Sequence, residues 1–336
     1  MALKGRTSMG NCVIRGDGTS WTSRRGFLVG ASALAGQTAA TGRASASGSP
    51  ILLVGDQNSS LRSLLDAAGE GAPTDYRIEW KEFTQAQPLL QAQNAGAIDF
   101  CRAGDVAFLF AYAAGAPIVA IGANLTGGQG AAILVRADSA FATVRDLKGR
   151  QVILSPAGLG EPLLYGHLAQ AGLAPGDVHV VHATQNVAQL SLATGQVDAW
   201  VTWQPYIALG QEIDHDRILV DGQGVLSFYV FGIAHRNALE TKRAAIIDLQ
   251  HRIARAMVWA RAHRDLYGKT LARVSRMPDA VAQRSVESSR LEEVAIDDRV
   301  VHDTTDLYQK LSAYGLIKKG LDIKKAFDPT VLNGVL

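Results

Sequence analysis

Up to about residue 235 the chain alternates short apolar runs with polar turns, and beyond it apolar residues recur at helical spacing. Residues 51–54, Ile-Leu-Leu-Val between Pro50 and Gly55, predict a buried first strand. A polar loop at 55–60 with helix-capping residues leads to Leu61, Leu64 and Leu65 at helical spacing. Residues 76–81 alternate as a second strand, and 87–90 begin the helix that enters the stretch around which the chain is organised. That stretch, 89–105, reads as a helix end, a turn on Gly96, a short buried strand ending at Phe100, and a loop opening another helix. Cys101, Arg102 and Asp105 then stand at the carboxyl end of a strand, where ligands bind in open α/β sheets. A helix at 108–114, a strand at 117–121, a Gly-rich loop at 124–130 and an apolar run at 132–135 follow.

The organising stretch recurs. Gly195, Asp198 and Trp200 repeat the turn, the carboxylate and the strand, with Gly96 and Asp99 each 99 residues earlier than their counterparts. Two copies of one βα plan imply two similar lobes and a cleft. The second copy brings strands at 151–154, 178–181 and 199–202, and a loop at 155–161 that opens a helix. Further strands are expected at 218–220 and 226–233, the latter returning to the first lobe. From Ala238 the chain reads as mainly helical, with Ile246, Leu249, Ile253, Met257 and Ala260 on one face. Strands alternating with helices, then helices alone, give an α/β class.

The front of the chain alters the charge picture. Arg24-Arg25, an apolar run at 27–36 too short for a permanent span, and Ala44-Ser45-Ala46 fall in the order of a twin-arginine signal peptide covering residues 1–46. That segment holds six basic residues and Asp17, a net of +5, so the rest of the chain is +2 minus +5, about −3. The basic balance belongs to the signal, and no case for a nucleic-acid partner remains. One cysteine, Cys101, is left after the signal, which excludes an intramolecular disulfide. No metal-ligand spacing of Cys and His occurs, the Gly158-Leu159-Gly160 loop lacks dinucleotide spacing, and no cofactor is expected.

Lys148-Gly149, the paired glycine–aspartate turns and the run from Asp198 through Trp203-Gln204-Pro205-Tyr206 resemble the periplasmic substrate-binding components of ABC transporters. Trp80-Lys81-Glu82-Phe83, then Pro88-Leu89-Leu90 and residues 94–100, resemble the aliphatic-sulfonate, nitrate and taurine branch. The resemblance covers nearly all of 50–315. It implies a type II two-lobed fold with two crossover strands and a ligand clamped between the lobes. Lobe 1 is expected at 47–134 and 231–336, lobe 2 at 135–230. It also implies a membrane permease as partner, while the signal segment predicts a soluble protein exported to the periplasm with the twin-arginine machinery as partner. Asp56 and Asn58 stand where the family often has an aromatic and a Lys, and Gln204 stands where it often has Asp. A cation is thus exchanged for a carboxylate or a neutral group. Asp56 is therefore expected to point out of the cleft, or to meet the cationic part of a zwitterion.

Candidate ligand contacts are the polar groups in loops after strands. In lobe 1 these are Gln57, Asn58, Arg102 and Asn124, with Thr126 and Gln129 in the crossover. Lobe 2 offers the helix start at Gly158, Leu159, Gly160 and Glu161, and an aromatic wall of Trp203 and Tyr229. Arg102 is the cation of the set and suits a sulfonate or carboxylate through two parallel hydrogen bonds, against the alternative of a surface pair with Asp105. Asp105 reads as a helix cap. Two functions from different classes fit: a binding protein that captures a small organic anion or zwitterion by lobe closure, and a desulfinase-like carbon–sulfur lyase using Cys101 as nucleophile. A sensor subunit would use the same cleft. Export favours the binding protein.

Overall fold

A computed structural model describes residues 49–126, 128–226 and 228–331. The twin-arginine segment expected at 1–46 lies outside the described residues. The chain opens with β1 (Ile51–Gln57), α1 (Ser60–Ala67), β2 (Arg77–Phe83), α2 (Ala86–Asn94), β3 (Phe100–Gly104), α3 (Asp105–Ala113) and β4 (Ile118–Leu125). It continues through β5 (Ala131–Val135), β6 (Gln151–Leu154), α4 (Gly160–Gln170), β7 (His179–His182), α5 (Gln185–Ala193), β8 (Ala199–Trp203), α6 (Tyr206–Leu209) and β9 (Arg217–Asp221). The return is made by β10 (Tyr229–His235), α7 (Arg236–Thr241), α8 (Arg243–Ala262), α9 (Arg264–Ser275), α10 (Asp279–Glu287), β11 (Glu292–Val294) and α11 (Asp298–Ala313).

The strands form two sheets, one per lobe. The first has the order β11-β4-β10-β3-β1-β2, the second β7-β6-β8-β5-β9. β10 runs antiparallel to both β3 and β4, and β5 runs antiparallel to both β8 and β9. The chain changes sheet at 126–130 and again at 222–228, so the boundaries expected at 134/135 and 230/231 fall inside β5 and β10. The two crossings are tied together: Thr126 donates N–H and Oγ1 to the Phe228 carbonyl at 3.0 and 2.9 Å, and Gly222 donates N–H to the Gly128 carbonyl at 3.0 Å. They approach so closely that a Cβ on Gly128 of the first would lie 2.0 Å from Cγ and 2.9 Å from Cα of Gln223 in the second, so only glycine fits there.

The 99-residue repeat has a structural cause. Gly96 and Gly195 both turn the chain with positive φ, at 72° and 71°. Asp99 Oδ2 then accepts the Leu53 N–H of β1 at 2.7 Å, and Asp198 Oδ2 accepts the Gln151 N–H of β6 at 2.9 Å. In each lobe one carboxylate fastens the incoming strand to a central one. Asp198→Ala is expected to lower the unfolding free energy by about 1 kcal/mol in a urea titration, the net worth of one such bond. An unchanged midpoint would remove Asp198 from the account.

Three expectations need correction. β3 does not end at Phe100 but runs to Gly104, because pairing with β10 continues through Gly104↔Val230. The strand expected at 226–233 begins at Tyr229, since Phe228 takes a left-handed φ of 61° that breaks the ladder. The tail is not helical throughout: β11 adds an edge strand to β4. Along β3 the side chains alternate, so Phe100 and Arg102 face α1, α8 and α9 while Cys101 and Ala103 face α2 and α3. The α8 stripe of Ile246, Leu249, Ile253, Met257 and Ala260 is buried, as its spacing predicts.

Candidate functional site

The two crossings leave a cavity of about 310 Å³ at the carboxyl ends of β1 and β3, enough for a small organic molecule. Gln57, Asn58, Arg102, Asn124, Thr126 and Tyr229 line it from lobe 1 and the crossovers, with Gly158, Leu159 and Trp203 from lobe 2. Leu159 and Leu226 pack against the cores of both lobes, and the Tyr165 and Tyr314 rings meet edge-on at 5.7 Å across the junction. On another side Arg284 Nε of α10 pairs with Glu212 Oε1 of lobe 2 at 3.0 Å. Gln129, Gly160 and Glu161 lie outside the lining. Gln129 is exposed in the first crossing. Gly160 starts α4 against Leu154, where an added Cβ would come within 2.9 Å, and Glu161 is turned to His182 Nε2 at 2.8 Å.

Arg102 is the centre of the site. Its guanidinium donates to Asn124 Oδ1, and no carboxylate lies within 4 Å of it among the described residues. Burial lowers its pKa from the ordinary value, opposed by the charges of Glu293, Tyr267 and Asp56. The alternative pair with Asp105 is absent: Asp105 begins α3, where Oδ1 accepts the Val106 N–H at 2.8 Å and Oδ2 the Tyr229 N–H at 3.1 Å. A guanidinium carries five N–H donors, so a planar or tetrahedral oxyanion has donors to meet.

Asp56 answers the question raised by its sequence position. It does not line the cavity but bends back over α1, accepting the Leu61 and Arg62 N–H groups at 2.9 and 2.8 Å. Burial still pushes its pKa up to about 6 against those bonds. The loop that follows takes left-handed φ at Asn58 and Ser59, both 54°, and buries Asn58 Nδ2. The same amide lies beside the Tyr206 hydroxyl of lobe 2, so this loop meets the other lobe at the cavity edge.

Glu293 carries no signal in the pattern of hydrophobic and polar positions. It sits on β11 opposite Asn124, where Gln250 Nε2 donates to its Oε1 at 2.8 Å, and burial pushes its pKa up to about 7. Gln250 reaches it over Gly122 and Gly232, where a Cβ would come within 2.4 and 2.2 Å. Trp203 closes β8 with Tyr206 edge-on at 6.0 Å. Tyr229 lines the cavity but anchors its hydroxyl outside it, donating to Asp303 Oδ2 at 2.8 Å.

Cys101 points to the other face of the sheet. It is fully buried against α2 and α3, its thiol donates to Gln93 Oε1 at 3.1 Å, and burial pushes its pKa well up. It does not line the cavity, so the arrangement a Cys101 nucleophile needs is not present. Cys101→Ser is expected to leave ligand affinity within about threefold and to lower stability by about 1 kcal/mol, read by calorimetry and denaturant titration. A tenfold loss of affinity would place the thiol in the site after all.

Residues 78–275, more than half of the chain, match the family model described as NMT1/THI5 like. The chain belongs to the NMT1/THI5-like family. A relative within reach of this NMT1/THI5-like chain is a protein of Escherichia coli (strain K12) named for the binding of aliphatic sulfonates, 29% identical over 295 residues, spanning 84% of this chain and 90% of that one. The solved periplasmic aliphatic sulphonate binding protein of Escherichia coli superposes with a TM-score of 0.74 at 27% identity, over 82% of this chain and 97% of that one. The alkanesulfonate-binding protein of Xanthomonas axonopodis pv. citri bound to MOPS gives 0.72 at 27%, over 83% and 98%. These structures share the two-lobed periplasmic-binding-protein fold seen here.

Proposed function

We propose that this chain is the solute-binding component of an ABC-type importer, exported by the twin-arginine route and holding a sulfonate-like organic anion between its lobes in the periplasm. One observation carries the reading: a partly buried Arg102 with one side-chain partner faces a cavity that both lobes wall. The names of its relatives supply the ligand class and the periplasm. The membrane permease and the export machinery are the partners that go with this reading. Among the described residues no helix is long and apolar enough to cross a membrane.

A thermal-shift panel on the chain without residues 1–46 tests the proposal. Alkanesulfonates, taurine, nitrate and aromatic acids are each added in excess. A ligand that binds the native state alone raises the melting temperature, by about 2.7 kcal/mol of stabilisation at a hundredfold excess over Kd. A rise with alkanesulfonates is expected. Melting unmoved by every sulfonate would overturn the ligand class.

A further inference from the structure

The cavity does not stop at the mouth between the lobes. It continues inside lobe 1, on the sheet face that carries Arg102, into a space lined by Leu64 of α1, Met257 of α8, Leu271 of α9, Met277, Val286 of α10 and Leu291. Those six side chains are apolar, while Ser60, Ser285, Ser288, Ser289 and Arg290 line the same cavity beside them. Tyr267 of α9 also lines it and faces Arg102 closely enough that each shifts the acidity of the other. The cation therefore borders a chamber whose walls are mainly apolar.

We propose that this chamber is a second compartment of the site and receives the apolar body of an amphiphilic organic acid, a ring or an alkyl chain, whose acid group is held at Arg102. The inference rests on the binding-protein reading and adds to it the class of ligand. Two features separate the chamber from ordinary core. It is open space continuous with the cavity. Its walls also hold Met257 and Met277, the two methionines that follow residue 9 in a chain with four. Methionine is the side chain that reshapes most readily around apolar guests of differing outline. A short, fully polar acid would leave this lining unmatched, whereas each methylene that enters it leaves water.

Calorimetry on the chain without residues 1–46 provides the test, with straight-chain sulfonates from methane- to hexanesulfonate and carboxylates of matched length. In the unaltered protein affinity is expected to rise roughly fourfold per added methylene over the first few. In Met277→Trp, which fills the chamber from the α9–α10 turn, the ratio of hexane- to methanesulfonate affinity is expected to fall at least tenfold. Sulfonates that bind with no dependence on length would overturn the chamber and leave the sulfonate reading standing. A length-dependent carboxylate series with no sulfonate binding would do the reverse. A slope untouched both by Met277→Trp and by Leu291→Trp would place the tail against Trp203 instead and overturn the chamber. No binding by any acid of either series overturns both.

Discussion

Replacing Arg102 with alanine is expected to weaken an organic sulfonate by about ten- to a hundredfold. A charge-assisted hydrogen bond in a closed cavity is worth about 1.5–3 kcal/mol, and each 1.4 kcal/mol is a factor of ten. The loss should appear in affinity more than in folding, because the guanidinium makes one side-chain bond within the protein, to Asn124. The substitution takes away a charge that burial already disfavours, while Asn124 Oδ1 loses a donor. Arg102→Lys separates charge from shape. An ammonium keeps the charge but not the planar fork, so it should recover part of the affinity and discriminate less between sulfonate and carboxylate. Calorimetry on both variants, with melting curves beside it, checks the prediction. Unchanged affinity in Arg102→Ala would move the anion to other donors, among them Asn58 Nδ2.

Arg102 was legible in the sequence for a reason that Glu293 was not. It stands three residues after Asp99, and the recurrence of that carboxylate 99 residues later fixes both as strand-fastening positions. The polar group that follows is then at a strand's carboxyl end. Its facing was less legible. The strand reads as ending at Phe100, whereas the ladder with β10 carries Arg102 inside β3 and turns it toward α9. Glu293 lies in a three-residue strand, Glu-Glu-Val, among helices, and two carboxylates in a row give no strand signal. Only long-range pairing with β4 makes it a strand. The chamber walls were hidden in another way. Met257 and Leu271 have the same helical spacing as residues that fill the core, and periodicity cannot tell a packed apolar face from one that borders a cavity. Asp56 follows the apolar run 51–54, and its charge left two expectations, a side chain turned out of the cleft or one that meets a cationic ligand group. Its side chain takes the first and holds the start of α1, a local competition that spacing alone does not decide.

Affinity for an anion is expected to rise about tenfold as pH falls from about 8 to about 6, and Glu293 is expected to carry most of that dependence. Four ionisable groups meet on this face: Arg102, Asp56, Glu293 and Tyr267, with Glu82 adding its charge beside Asp56. Tyr267, pushed up to about 12, stays neutral throughout. Burial pushes Asp56 up to about 6 and Glu293 up to about 7, each held down in part by the charge of Arg102. An anion bound at Arg102 cancels that charge, so both carboxyls become weaker acids and the complex holds more protons than the free protein. Binding then takes up protons. Affinity must increase as pH falls, from above the pKa of Glu293 to the pKa of Asp56, and level off once both groups are protonated in the free state. Glu293→Gln keeps the shape and the contact with Gln250 but cannot ionise. It should bind more tightly than the unaltered protein at pH 8, equally at pH 6, and with a flattened slope between. Calorimetry in two buffers of different ionisation enthalpy counts the protons directly. Equal affinity at pH 8 and pH 6 in the unaltered protein, or an unaltered slope in Glu293→Gln, would show that Arg102 and Glu293 are not coupled through the ligand.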